Sequence, residues 1–254
     1  MHCFWILRRR AFWVCTLLVC LGFGFAAHTF AYAQSPLREP LQAIVPSRKA
    51  AAITFDADMD ADDVPALLQA LHEKNVHATF FVTGVWAEKY PQALRQIAQA
   101  GHEIGCHGDL HRDLTALTAE QQRQDLAANC EKIRAACGAE AAWLRPPYRR
   151  WNSTLLQSAH AQGLRVADCS AVTDDWKNAA PQIVCAQALD RLKSGGILLL
   201  HCSGLNTATA LPRILAALQS RGFALGTVSQ LAETACVSGR KRLVSFTFLC
   251  RKFG

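Results

Sequence analysis

From Ala51 onward, short apolar runs alternate with amphipathic, helix-length segments about seven times, and few chain topologies accommodate that rhythm. The runs are AAITF, VHATFFVT, HEIGC, AWL, LRVADC, ILLL and FALGTV. Between the first two, Val64, Leu67, Leu68 and Leu71 recur at i, i+3, i+4 and i+7, the period of a helix with one buried face. PQALRQIAQAG opens on proline and closes on glycine, as helices do. Thr118 with Gln121 three residues on predicts a capping box and a helix that stops near Gly138. Further helices are predicted from a cap at Asn152 to Gly163, from Pro181 to Lys193, and around Leu211, Ile214, Leu215 and Leu218. The pattern implies an α/β fold of parallel strands joined by crossover helices, closed into a barrel or laid out as a doubly wound sheet. No glycine-rich phosphate loop follows the first run, which argues against a nucleotide-binding version.

At 254 residues the chain holds one well-buried core, expected over 51–235. Residues 1–33 read as an export signal: Arg8, Arg9 and Arg10 precede an apolar run, and AYAQ offers a small-x-small cleavage site after Ala33. The expected mature product is periplasmic or extracellular and not inserted in a membrane. Its balance, 27 basic residues less those three arginines against 20 acidic ones, is +4, which does not imply nucleic acid and suits loose attraction to an anionic wall polymer or membrane surface. Eight of the 11 cysteines follow the signal, so export permits disulfides without fixing a connectivity; Cys236 and Cys250 flank the last segment and are placed to staple it. Residues 34–50 contain three prolines and read as a linker or packing sequence, and 236–254 as an extension.

Reactive residues sit just beyond the runs: Asp56 and Asp58 after the first, His107 after HEIGC, Arg145 after AWL, His201 after ILLL. In parallel α/β barrels the carboxyl ends of the strands share one face, where catalysis occurs, so these residues are expected to converge. In GCHGDLH, His107 and His111 are four apart; on a helical turn that spacing stacks two imidazoles where both reach one ion. Each residue also has a purely structural reading. Asp56 would cap the next helix, Arg145 would be a surface or salt-bridge residue, His201 would be a satisfied core histidine, and Trp176 would pack. Asp174 reads as a turn residue, and Asn152 in NST as a helix cap rather than a glycosylation acceptor.

Five motifs in order, TFDAD at 54–58, HGDLH at 107–111, RPPY at 145–148, DDW at 174–176 and LLLH at 198–201, make residues 51–232 resemble the NodB-type polysaccharide deacetylases. The resemblance implies an irregular (β/α) barrel of about seven parallel strands. It also implies hydrolysis of N-acetyl, or O-acetyl, groups on an amino-sugar polymer such as peptidoglycan or a chitin-like glycan. By the same resemblance His107 and His111 hold a divalent metal, zinc first, with cobalt, nickel or manganese as alternatives. Asp56 is then the general base, Arg145 orients it, His201 is the general acid and Asp175 fixes its tautomer. Trp176 and Leu199 wall the acetyl pocket, and Tyr148 gives a backbone donor to the oxyanion.

The family's first motif usually reads TFDDG, its second aspartate a metal ligand; here that position is Ala57, whose methyl coordinates nothing. Three outcomes are open: Asp58, or else Asp60, supplies the oxygen ligand; two histidines hold the metal with extra waters; or the metal is lost. The preferred expectation is Asp58, since residues two apart in an extended chain face the same side. Loss of the metal would leave a non-catalytic carbohydrate-binding protein on the same fold. Gly108, where serine or threonine is common, and Arg149, where glycine often follows, imply altered loops and an altered substrate groove.

Overall fold

The computed structural model describes residues 39–236. Among them eight strands form one parallel sheet: β1 (Ala50–Ala57), β2 (Thr79–Val82), β3 (Glu103–Cys106), β4 (Trp143–Leu144), β5 (Arg165–Val166), β6 (Ala171–Val172), β7 (Ile197–His201) and β8 (Ala224–Gly226). The order is β5-β4-β3-β2-β1-β7-β6, with β8 paired to the first residues of β1. The seven strands of that path curl into an α/β half-barrel, as the alternation implied. The helices are α1 (Val64–Glu73), α2 (Gly84–Lys89), α3 (Pro91–Gln99), α4 (Ala119–Cys137), α5 (Ser153–Ala161), α6 (Pro181–Arg191), α7 (Thr207–Ser220) and α8 (Val228–Cys236).

Strand β1 shows how sequence sets this layering. Ala51, Ile53, Phe55 and Ala57 pack into the large apolar cluster shared with the helices, where Phe55 stacks on Phe80 at 4.9 Å. Ala50 and Ala52 belong to the inner cluster with Phe81, Trp143, Ile197 and Leu199. By the two-residue period of a strand, Thr54 and Asp56 share that inner side. Each fully buried Phe or Ile contributes about 1.5–3 kcal/mol relative to exposure, which fixes the register and hence the face on which Asp56 stands.

The expected caps are present. Thr118 and Gln121 form a capping box, Gly138 ends α4 in the left-handed conformation, and the Asn152 side chain accepts from Leu155 N. Helix α2 and strand β6 were not anticipated, because six residues are too few for a period to show and Ala171–Val172 is too short a run. Residues 39–50 prove to be packing sequence. Leu41 N donates to Val166 O, Ile44 N donates to Gly195 O, and Leu41 and Ile44 are buried, so this segment joins the far end of the sheet to the start of β7. The amino ends of the strands are covered by α8: the Glu103 carboxylate accepts from Thr79 Oγ1 at 2.6 Å and from Ser229 Oγ, while Val228 and Leu231 enter the inner cluster. The carboxyl ends carry Asp56 and Ala57 on β1 and His201 on β7. The expected signal, the proposed cysteine staple and the extension past residue 236 lie outside the described residues.

Candidate active site

Asp56, at the carboxyl end of β1, is the centre of the arrangement. Its Oδ1 receives Arg145 Nη1 at 2.8 Å, its Oδ2 stands 3.6 Å from His107 Nε2, and its Cα is registered opposite His201 on β7. Asp56 makes no helix cap; α1 is preceded by Asp63, which makes no side-chain cap either. Arg145 is fully buried, its guanidinium 4.2 Å from the Phe81 ring centroid, so the surface reading of this residue is excluded. Burial by itself would raise the Asp56 carboxyl, yet its neighbours, Arg145 foremost, outweigh it and hold the group below the ordinary carboxylate value.

His107 and His111 do come together, ring centroids 5.0 Å apart, through a loop rather than the expected helical turn. The loop turns at Gly108 (φ 75°) and at His111 itself (φ 52°), so the pair is set by loop geometry and not by a 3.6-residue repeat. Gly108 is needed for more than φ: a Cβ there would stand 3.2 Å from Asp125 Oδ1. Two buried residues of α4 that sequence reasoning passed over hold the loop. Asn129 accepts from His107 N at 3.1 Å while donating to Val82 O at 3.1 Å. Asp125 accepts from Asp109 N at 2.7 Å and Arg112 Nη2 at 2.9 Å. With Gln122 they put polar groups on the inward face of α4 beside Leu126 and Ile133. Polar residues at buried helical spacing were the signal available for them.

His107 Nδ1 lies 2.7 Å from Arg145 O; a carbonyl only accepts, so the proton is on Nδ1 and the Nε2 lone pair is free. Asp58 Oδ2 is 3.5 Å from His111 Nε2, and its buried Oδ1 has no partner. Two imidazole nitrogens and an unsatisfied carboxylate oxygen are a donor set that fits a divalent cation. The side chains stand as two His–Asp pairs, and among the described residues no three His, Cys, Asp or Glu groups close into a metal cage. Ala57 is packed in the helix-side apolar cluster, and Asp60 gives its carbonyl to Trp86 Nε1. Burial, helped by neighbouring His107, holds His111 below its ordinary value, which favours the neutral, ligating form.

Across the mouth, His201 Nδ1 is 2.9 Å from Asp175 Oδ1, whose carboxylate also accepts from His201 N, Thr207 Oγ1 and Trp176 N. That buried, fourfold-held carboxylate fixes the ring and leaves Nε2 for chemistry. Burial disfavours the charged imidazole, but Asp175, Asp56 and Asp58 prevail and raise His201 above its ordinary value. Leu199 is buried in the inner cluster beneath the site. Trp176 and Tyr148 are 58% and 61% exposed, so they form the rim rather than enclosed walls. Tyr148 packs its ring against His111 at 4.8 Å and donates its hydroxyl to His111 O at 3.1 Å. Cys106 and Cys202, beside two of these histidines, are buried filler, and they are free thiols, as are Cys130, Cys137, Cys169 and Cys185. Asp174 is the turn residue expected, accepting from Gln187 Nε2 at 2.7 Å, and Asn152 is the expected cap.

A parallel half-barrel with three carboxylate–histidine pairs and a buried arginine toward the carboxyl ends of its strands is the layout of a hydrolase with a paired base and acid. The family model described as polysaccharide deacetylase matches residues 43–167. The chain is 32% identical over 194 residues to a chitooligosaccharide deacetylase of Sinorhizobium fredii, covering 70% of this chain and 89% of that one. It is 29% identical over 188 residues to a peptidoglycan-N-acetylglucosamine deacetylase of Bacillus cereus, covering 72% and 68%. A mutant of BA3943, a carbohydrate esterase family 4 (CE4) pseudoenzyme from Bacillus anthracis with restored enzymatic activity, superposes with a TM-score of 0.74 at 25% identity, covering 77% and 71%. The chain belongs to the polysaccharide deacetylase family. It spans 61% to 89% of the length of the curated relatives named here and YlxY of Bacillus subtilis.

Proposed function

We infer that the chain is an exported, metal-dependent deacetylase that hydrolyses N-acetyl groups on an amino-sugar glycan of the peptidoglycan or chitin-like kind. The opposed protonation preferences of Asp56 and His201, registered on neighbouring strands, carry the reading: one side chain is held as a base, the other as an acid. The names of the relatives supply the substrate class, and the arginine-led apolar leader supports export.

A divalent ion, zinc by preference, would be held by His107, His111 and Asp58, and when bound it polarises the acetyl carbonyl and acidifies water. Asp56, oriented by Arg145, takes a proton from the attacking water as its oxygen adds to the acetyl carbon. The backbone N–H of Tyr148 donates to the developing oxyanion. His201 Nε2, with its ring fixed by Asp175, passes a proton to the sugar nitrogen as the C–N bond breaks. The products are acetate and a free amine. Trp176 stands at the rim as a face for the sugar ring, and Leu199 floors the acetyl pocket.

Acetate release from N-acetylated chito-oligomers and from peptidoglycan, with zinc restored and with chelator, tests this. Asp56→Asn and His201→Ala should each reduce kcat at least about 100-fold. Ala57 and the likeness to the CE4 pseudoenzyme favour a second reading, a glycan-binding protein without chemistry. Glycan binding with no acetate release under zinc, cobalt, nickel or manganese would establish that reading instead.

A further inference from the structure

Tyr148 and Arg149 are consecutive non-glycine residues in the left-handed region, at φ 57° and 59°. Few L residues adopt that backbone, and two in succession need something to hold them. Burial does not, since Tyr148 is mostly exposed. On one side Tyr148 rests on His111. On the other, Arg149 sends Nε to Asp168 Oδ1 at 2.6 Å, Nη2 to Asp168 Oδ2 at 3.1 Å, and Nη2 again to Cys169 O at 3.2 Å. Asp168 is itself immobilised: it is 3% exposed, accepts from Cys169 N at 2.7 Å and from Gln42 Nε2 at 3.2 Å, and its own N–H donates to Leu41 O. A two-pronged guanidinium–carboxylate contact fixes orientation as well as distance, which a single charge does not. The anchor follows directly on β5, so the loop beyond β4 is tied to the next strand of the barrel. A glycine at 149 would adopt the left-handed backbone freely and leave the loop untied.

We propose that Arg149 and Asp168 are a positioning pair that fixes the Tyr148 backbone beside His111 and so sets the turnover of the deacetylation reaction. The functional half rests on the deacetylase reading above. Neither residue touches the reacting atoms; both act through Tyr148. Misplacement of a donor by about 1 Å can cost on the order of 100-fold in rate, while substrate binding, spread over the rim, changes little.

The test compares wild type, Arg149→Gln, Arg149→Lys and Asp168→Asn, zinc-loaded, on a soluble N-acetylated chito-oligomer, with thermal unfolding of each. The proposal expects kcat to fall about tenfold or more in Arg149→Gln and Asp168→Asn, with KM within about twofold, and only partial recovery in Arg149→Lys. It is overturned by folded variants with wild-type kcat, or by full recovery in Arg149→Lys. Should burial of an unpaired Asp168 prevent Arg149→Gln from folding, the double variant Arg149→Gly/Asp168→Asn takes its place; it should fold and remain slow, and full activity there also overturns the proposal. NMR of the His111 ring gives a readout without turnover: its resonances, displaced by the Tyr148 ring in wild type, should shift in Asp168→Asn toward those of Tyr148→Leu. An inactive wild type would defeat the deacetylase reading alone, and unmoved His111 resonances would defeat the positioning pair alone.

Discussion

Replacing Arg145 with methionine removes the cation that stabilises a buried carboxylate, and the structure sets both the size and the pH course of the effect. Arg145 is 0% exposed, donates to Asp56 Oδ1 at 2.8 Å, and lies over the Phe81 ring, so methionine fills similar apolar space but leaves Asp56 without its strongest partner. Breaking a buried ion pair from one side costs about 3–5 kcal/mol. At about 2–4 °C per kcal/mol for a domain of this size, Tm at pH 7 should fall by roughly 6–20 °C. In wild type the Asp56 pKa is depressed, so its contribution is present above the ordinary carboxylate value and is lost as pH falls through the lower folded value. Without Arg145, burial, the largest single influence on this group, loses its chief opponent, and the carboxyl should rise from its wild-type value. The penalty is then full at neutral pH and fades on acidification, as Asp56 takes up a proton. Thermal unfolding followed by circular dichroism in chelator, at pH 7, 5.5 and 4.5, should show the gap between wild type and variant narrowing. Asp56→Asn/Arg145→Met should recover most of the loss and abolish that pH dependence. A gap that is constant or widens toward acid would refute the account of Asp56 as a buried carboxylate held by Arg145.

The pH profile of kcat/KM should fall on the alkaline side as His201, raised by Asp175 despite burial, loses its proton; Asp175→Asn should move that limb toward lower pH, and an unmoved limb would assign the acid elsewhere. Equilibrium dialysis should find that Asp58→Ala loses bound zinc while Ala57→Asp changes its retention less; the opposite order would mean that Asp58 is not the oxygen ligand. Asp125→Ala breaks two bonds under the histidine loop, so it should cost about 1–3 kcal/mol in urea unfolding. By the same loosening it should weaken zinc binding about 10–100-fold, as loss of supporting contacts does elsewhere.

The strand-end placement of Asp56, His107, Arg145 and His201 was legible because apolar runs and their following residues are local in sequence, and parallel topology converts that locality into convergence. The caps at Thr118 and Asn152 were legible for the same reason. What sequence could not convey was how the loops fold. The imidazoles of His107 and His111 meet through positive-φ turns at Gly108 and His111, and a spacing of four says nothing of that. Asn129 and Asp125 support the site from a helix remote in sequence, and Asp168 meets Arg149 only after the chain has passed through α5 and β5. Arg149 could be seen as a departure from a pattern, but its partner could not, since side-chain pairing across 19 residues has no periodic signature.

Residues 41–44 have a practical consequence for anyone shortening this protein. An amputation at Ala51, where the sequence rhythm begins, would strip Leu41 from its place beside β5 and Ile44 from its bond to Gly195, unzipping the seam of the half-barrel. The bared backbone of an edge strand invites another molecule to dock in its stead, so such a fragment should come out of solution as clumps while a longer version stays dispersed.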